Sequence, residues 1–220
     1  MKKFFKHNFN SRTKQISLLL LLLIIYVFIC AFSYVHAVSS NIQNSVFRLH
    51  IIANSDSTND QNLKYLVRNK VLEYIKTISS NITSKKDFIN LVYNNFDEIK
   101  KISEQVIHEN GYNYTVKLNI GNFSFPTKQY GDISLPAGFY DALKIEIGNA
   151  NGQNWWCVMF PPLCFVDVNT GIVPAESKDI IKDNLSEEEF ALISQDNIEM
   201  NLKFKIVEAF QKIGIKLAQI

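Results

Sequence analysis

Residues 16–37, ISLLLLLLIIYVFICAFSYVHA, run for 22 positions without a charged side chain. About 20 such residues span the hydrocarbon core of a bilayer. Lys2, Lys3, Lys6, Arg12 and Lys14 precede or open the run, and the first fifteen residues hold no acid. A basic start followed by an apolar stretch is the pattern of a secretory signal. Val35-His36-Ala37 places β-branched and small residues where signal peptidase prefers them, so cleavage is expected after Ala37. The alternative is an uncleaved anchor, which would keep the chain in contact with the membrane through this segment. Cys30 follows the bulky Ile29, which argues against a lipoprotein site. In both readings the basic end stays inside and the rest of the chain is exported.

Export changes the charge argument. The chain of 220 residues carries 23 basic and 21 acidic residues, net +2. Setting aside the five N-terminal basic residues leaves 18 against 21, net −3. The basic excess belongs to the targeting segment, and the remainder lacks the electrostatic footprint of a nucleic-acid binder. At 47% hydrophobic and 20% charged residues the chain can bury a core. The expected organisation is a signal over 1–37, a polar tether over 38–45 and one exported domain over 46–220.

Within that domain, residues 46–53 alternate. Phe47, Leu49 and Ile51 fall on one face and Arg48 and His50 on the other, as in a half-buried strand. Ser57 with Asp60, Ser84 with Asp87 and Ser186 with Glu189 each have the spacing of a helix N-terminal capping box. Apolar stripes at helical spacing follow, from Leu63 to Ile78 and from Phe88 to Val106, with a last one from Leu202 to Ile213. Gly111 is placed to stop the second helix. Residues 112–120 alternate strictly between apolar and polar, and Leu143, Ile145 and Ile147 do the same. The stretch 125–138, with two prolines and two glycines, reads as an ordered loop. Asn151-Gly152 is the strongest short hairpin signal. Residues 155–160 are apolar without alternation, Pro161-Pro162 ends that strand, and residues 163–168 read as a short return strand. Strands and helices are largely segregated. The expected fold class is α+β, a mainly antiparallel sheet packed with an N-terminal helical hairpin and a C-terminal helix.

No catalytic set or metal site stands out. His7 and His36 lie in the targeting region, which leaves His50 and His108 for a Cys–His pair, both in ordinary positions. Asp56 and Asp60 flank a strand-to-helix turn, where acids also serve as caps. Cys157 and Cys164 would need two distant ligands to hold zinc. After export they can form a disulfide, and two buried thiols are the other reading. No cofactor is implied.

The densest stretch is NWWCVMFPPLCFVD, residues 154–167. Together with FPTKQYG and LPAGFYDAL within 125–143, and RLHIIANSDSTNDQNLK at 48–64, it resembles the stage II sporulation protein R family. Two places depart from the family pattern: Thr58, where proline is frequent, and 149–153, where members are richer in glycine. The resemblance implies an exported developmental signal, made in the forespore and released between the two membranes of the sporulating cell. It implies a membrane-embedded aspartic protease of the mother-cell membrane as partner, whose target is the precursor of the early mother-cell sigma factor. On that reading the chain is a ligand, not an enzyme. The alternatives are a secreted thiol-dependent enzyme or hydrolase of the cell envelope, and a structural envelope protein.

Adjacent residues of a strand point to opposite faces. Trp155 and Trp156 therefore divide, and one is expected in the core and the other on a partner. The expected contact surface is the corner Trp155, Trp156, Phe160, Pro161 and Pro162, with Lys128, Tyr130, Phe139 and Tyr140 beside it.

Overall fold

A computed structural model describes residues 11–165, Val173 and residues 175–194. The chain divides into two compact units, Met1–Val38 and Ser39–Ile220. The first is the body of helix α1 (Ser11–Ser45). Its Arg12–Cys30 stretch is long and apolar enough to cross a membrane, and its side chains are exposed. Residues 39–45, expected to be a tether, are helical instead. They pack into the second unit through Ile42, which is 2% exposed, and Asn41 donates to Glu189 at 2.7 Å.

The second unit is α+β. Its main sheet has strands β1 (Phe47–Ile52), β2 (Val116–Phe125), β5 (Gly138–Ile147) and β6 (Asn154–Phe160), in the order β2-β5-β1-β6. Two of the three pairings are antiparallel and β1–β5 is parallel. Inside the stretch expected to be a loop, β3 (Lys128–Tyr130) and β4 (Ile133–Leu135) form a separate two-stranded hairpin.

Three helices follow β1: α2 (Thr58–Ile78), α3 (Lys85–Asn94) and α4 (Phe96–Glu109). The Ser57 and Ser84 side chains accept from the backbone N–H groups of Asp60 and Asp87, as their spacing predicts. The second expected helix is broken at Asn95, whose side-chain amide donates back to Leu91 O at 2.8 Å. Gly111, at φ 83°, closes α4. Leu63, Val67, Val71 and Ile75 of α2 and Ile99, Val106 and Ile107 of α4 share one core with Phe47, Leu49, Ile51, Leu143, Ile145 and Ile147 of the sheet. Beyond β6 come one 3-10 turn at Leu163–Phe165, α5 (Ala175–Asn184) and α6 (Glu187–Ile193). Ser186 and Glu189 form a reciprocal capping box at the start of α6. The return strand expected over 163–168 begins as the 3-10 turn, and its remainder lies outside the described residues, as does the last apolar stripe from Leu202 to Ile213.

The Asn151-Gly152 hairpin does not form. β1 lies between β5 and β6, so the connection crosses the end of β1 instead of folding two neighbours together. Asn151 N donates to Asn54 O at 3.2 Å and Gly152 N to Ala53 O at 2.9 Å. A Cβ at Gly152 would collide with Ser55 O, so this close backbone approach requires glycine. The turn chemistry serves the docking of two loops.

Candidate functional site

The pair β1–β6, at one edge of the sheet, carries polar and aromatic side chains on both faces, and the two tryptophans divide between them. Ile51 pairs with Trp155 and His50 with Trp156.

On the face away from the helical core stand Arg48, His50 and Trp156. Alternation alone marks Arg48 and His50 as a solvent face, but Arg48 is 0% exposed and His50 is buried. Aromatic residues supply the second layer. The Arg48 guanidinium lies 4.1 Å from the Phe125 ring centroid and 4.6 Å from that of Tyr140. Its Nη2 donates to the Tyr130 hydroxyl at 2.6 Å, and its Nε and Nη1 are buried without a partner. No carboxylate pairs with it among the described residues. The charge is held by ring quadrupoles and one hydrogen bond. Burial raises the pKa of Tyr130 and Tyr140 against the opposing pull of Arg48, so both hydroxyls stay protonated. His50 stacks on Trp156 with centroids 3.7 Å apart, and its Nε2 lies 2.7 Å from Asn154 Oδ1. Burial lowers the His50 pKa. The Asn154 bond raises it in part, and the nearby Lys144 lowers it further.

On the helical face Trp155 meets α2. Tyr65 contacts it edge-on at 5.5 Å between centroids, and the Arg68 guanidinium lies 4.3 Å over its ring. Arg68 is also 5.0 Å from the Tyr65 ring and Lys64 Nζ is 4.9 Å from it. Burial lowers the pKa of both cations, and Lys64 is lowered further by Arg68. Lys64 donates to Gln61 and to Gln153 O, and Arg68 to Asn69 Oδ1. Among the described residues neither is ion-paired. The Trp155 Nε1 is buried without an acceptor.

The local fold holds α2 in place for this contact. The Asp60 side chain accepts from Asn54 at 2.8 Å and from Ser55, locking the end of β1 to the first turn of α2. Burial alone would raise the Asp60 pKa, but the bonds from Ser55, Asn54 and Tyr114 outweigh it and hold the carboxyl below its usual range.

The expected contact residues separate by burial. Phe160 is 2% exposed and packs on Phe88 at 5.5 Å, Pro161 is buried, and Tyr140 is 0% exposed. These three lie in the interior of the domain, unlike the surface position expected for them. Pro162 is half-buried, its carbonyl accepting from Ser177 Oγ at 3.3 Å. Tyr130 is half-buried against Arg48, while Lys128 and Phe139 are exposed. Ala37 lies exposed within α1. Cys157 and Cys164 are disulfide-bonded, with Cα atoms 5.5 Å apart. His50 lies on the face opposite Cys157, and His108 is exposed at the end of α4, so no thiol–imidazole pair is assembled from them. Sequence reasoning missed Lys64, Tyr65 and Arg68. Their one signal was spacing: positions 64, 65 and 68 lie within one turn of α2, beside the stripe that faces the core.

A profile of the stage II sporulation protein R family matches residues 43–170. Stage II sporulation protein R of Bacillus subtilis (strain 168) is 41% identical over 138 residues, covering 63% of this chain and 62% of that relative. The chain thus matches a little under two thirds of that relative's length. No solved structure matches. The matched region contains β1, α2, the β3–β4 hairpin, β6 and the disulfide, and the chain belongs to the stage II sporulation protein R family.

Proposed function

We propose that this protein is an exported sporulation signal that activates a membrane-embedded aspartic protease of the mother-cell membrane. It acts from the space between forespore and mother cell, and the activated protease removes the propeptide of the early mother-cell sigma factor. Family membership over 43–170 carries this reading. The apolar Arg12–Cys30 helix, compatible with a signal peptide or an anchor, supports export. The chain acts as a ligand, and the carboxylates that cleave the propeptide belong to the partner. Activation then requires tighter binding to the active form of the protease than to the inactive one. A difference of about 1.4 kcal/mol shifts the ratio of the two forms tenfold. The rival reading, a thiol-dependent enzyme, would need a free cysteine beside a histidine, and Cys157 and Cys164 are bonded to each other.

The test is co-expression of this chain, the protease and the sigma-factor precursor in a non-sporulating host, scoring propeptide removal. Removal that depends on this chain is expected. A chain with Leu20→Arg and Leu22→Arg, changes that oppose membrane insertion, should be made but inactive. Unchanged removal without this chain, or full activity of the unexported variant, overturns the reading.

A further inference from the structure

We infer that the Tyr65–Arg68–Trp155 cluster, with Lys64 beneath it, is a docking site for a carboxylate-bearing segment of a partner protein.

Three observations carry this, and all concern one place on the surface. Lys64 and Arg68 lie one helical turn apart on α2, and neither is ion-paired among the described residues. Their hydrogen-bond acceptors are neutral: Gln61, the Gln153 carbonyl and Asn69. Asp56 offsets the Lys64 charge in part, whereas no acid is paired with Arg68 among the described residues. Tyr65, 37% exposed, meets the same Trp155 ring edge-on, with Leu66 beside it at 44%. Trp155 Nε1 is buried in the cluster without an acceptor. Neighbouring cations on the helices show the ordinary arrangement. Lys70 pairs with Glu73, Lys101 with Glu98 and Lys85 with Asp141. Arg68 differs from these because its guanidinium lies over the Trp155 ring and its Nε and Nη2 are held by the neutral, exposed Asn69, an acceptor that an incoming carboxylate can replace.

The occupant follows from the chemistry. Arg68, half-buried and backed by the charge of the buried Lys64, lies beside an exposed tyrosine and leucine and complements a segment that carries Asp or Glu next to apolar side chains. Arginine and aromatic residues in such a setting are typical interface anchors. A bilayer surface is a poorer fit. Lys64 is 1% exposed, so Arg68 alone offers an accessible charge, whereas a headgroup layer is met by several outward-reaching cations. The inference deepens the proposed function by giving the ligand a contact surface, and it rests on that reading only for the identity of the partner.

The experiment has two arms. In the first, the full-length chain in detergent is titrated with a synthetic peptide of alternating Glu and Leu, with the matching Lys–Leu peptide as control, following tryptophan fluorescence. The Glu peptide should bind, the Lys peptide should not, and binding should weaken as salt is raised. Arg68→Gln should weaken the Glu peptide at least tenfold with the unfolding midpoint unchanged, and Tyr65→Ala should weaken it without abolishing it. Equal binding of both peptides overturns the inference. So does an Arg68→Gln protein that binds as the parent does, or binding seen only with phosphatidylglycerol vesicles.

The second arm repeats propeptide removal with Arg68→Gln and Arg68→Lys. A parent chain that activates the protease, an Arg68→Gln chain that fails and a partial rescue by Lys support the inference. If the Gln variant activates as well as the parent, the inference falls and the proposed function stands. If the parent itself fails to activate, the proposed function falls and the peptide arm alone decides.

Discussion

The imidazole of His50 stacks on the indole of Trp156, with centroids 3.7 Å apart and planes inclined by 23°. The stack sits in a buried layer beside Arg48, where an added proton on His50 would be poorly solvated. Its folded pKa lies below the unfolded value of 6.5 for that reason.

The consequence for stability has a definite sign. Between the folded pKa and 6.5 the unfolded chain binds more protons, so stability rises with pH in that window. The contribution is fully present above 6.5 and is lost as pH falls toward the folded pKa. The carboxyls of Asp60, Asp132, Asp141 and Glu189, all held low, add their own losses only at more acidic pH. We expect thermal unfolding followed against pH to show a decline that begins just below 6.5. His50→Gln should flatten that decline and leave the more acidic loss in place. An identical pH profile in the variant would refute the assignment to His50.

Arg48 tests what a buried cation needs. Its charge is answered by rings and by the Tyr130 hydroxyl, with two donor nitrogens left over. Lysine keeps the charge and loses the flat stacking surface, whereas methionine removes the charge and keeps much of the volume. We expect Arg48→Lys to cost about 2–4 kcal/mol, and Arg48→Met clearly less, in chemical denaturation. The reverse order would mean that the charge itself holds this layer together.

The two tryptophans should separate by stability and by activity. Trp156 is fixed between His50 and Phe125, whose ring it meets at 4.7 Å. Trp155 is capped by Arg68 at the edge of α2. Trp156→Ala should cost about 2–3 kcal/mol, and Trp155→Ala nearer 1–2 kcal/mol, since both rings are only partly buried. Propeptide removal per folded molecule should fall more for Trp155→Ala. Loss of activity in proportion to stability for both would make the pair purely structural.

The bond between Cys157 and Cys164 closes a short loop around the Pro161-Pro162 corner. Removing that constraint from the unfolded chain is worth roughly 2–3 kcal/mol on the loop-entropy model. Replacing both cysteines with serine should lower stability by about that amount while leaving activity per folded molecule near the parent value. A folded double variant that binds normally but is inactive would revive thiol chemistry.

The sequence by itself determined what depends on neighbours along the chain. The caps at Ser57, Ser84 and Ser186 were legible because each is a hydrogen bond spanning three residues, decided by local geometry. The apolar N-terminal helix was legible because its 22 uncharged residues leave few alternatives. Strand alternation placed Leu49 and Ile51 in the core and divided Trp155 from Trp156. The tertiary structure decided the rest. Nothing local says that β1 enters between β5 and β6, and the Asn151-Gly152 signal points the other way. That insertion wins because β1 pairs along both edges and buries both faces, a gain that exceeds one favourable turn. Arg48 and His50 turn from a solvent face into an interior one because aromatic rings arrive from far along the chain: Phe125, Tyr130 and Tyr140, 77 to 92 positions beyond Arg48, and Trp156 onto His50. Arg68 meets Trp155 only through the packing of α2 on that sheet. Contacts between distant segments depend on which pairings bury the most surface for the chain as a whole, and periodicity within one segment carries no record of that competition.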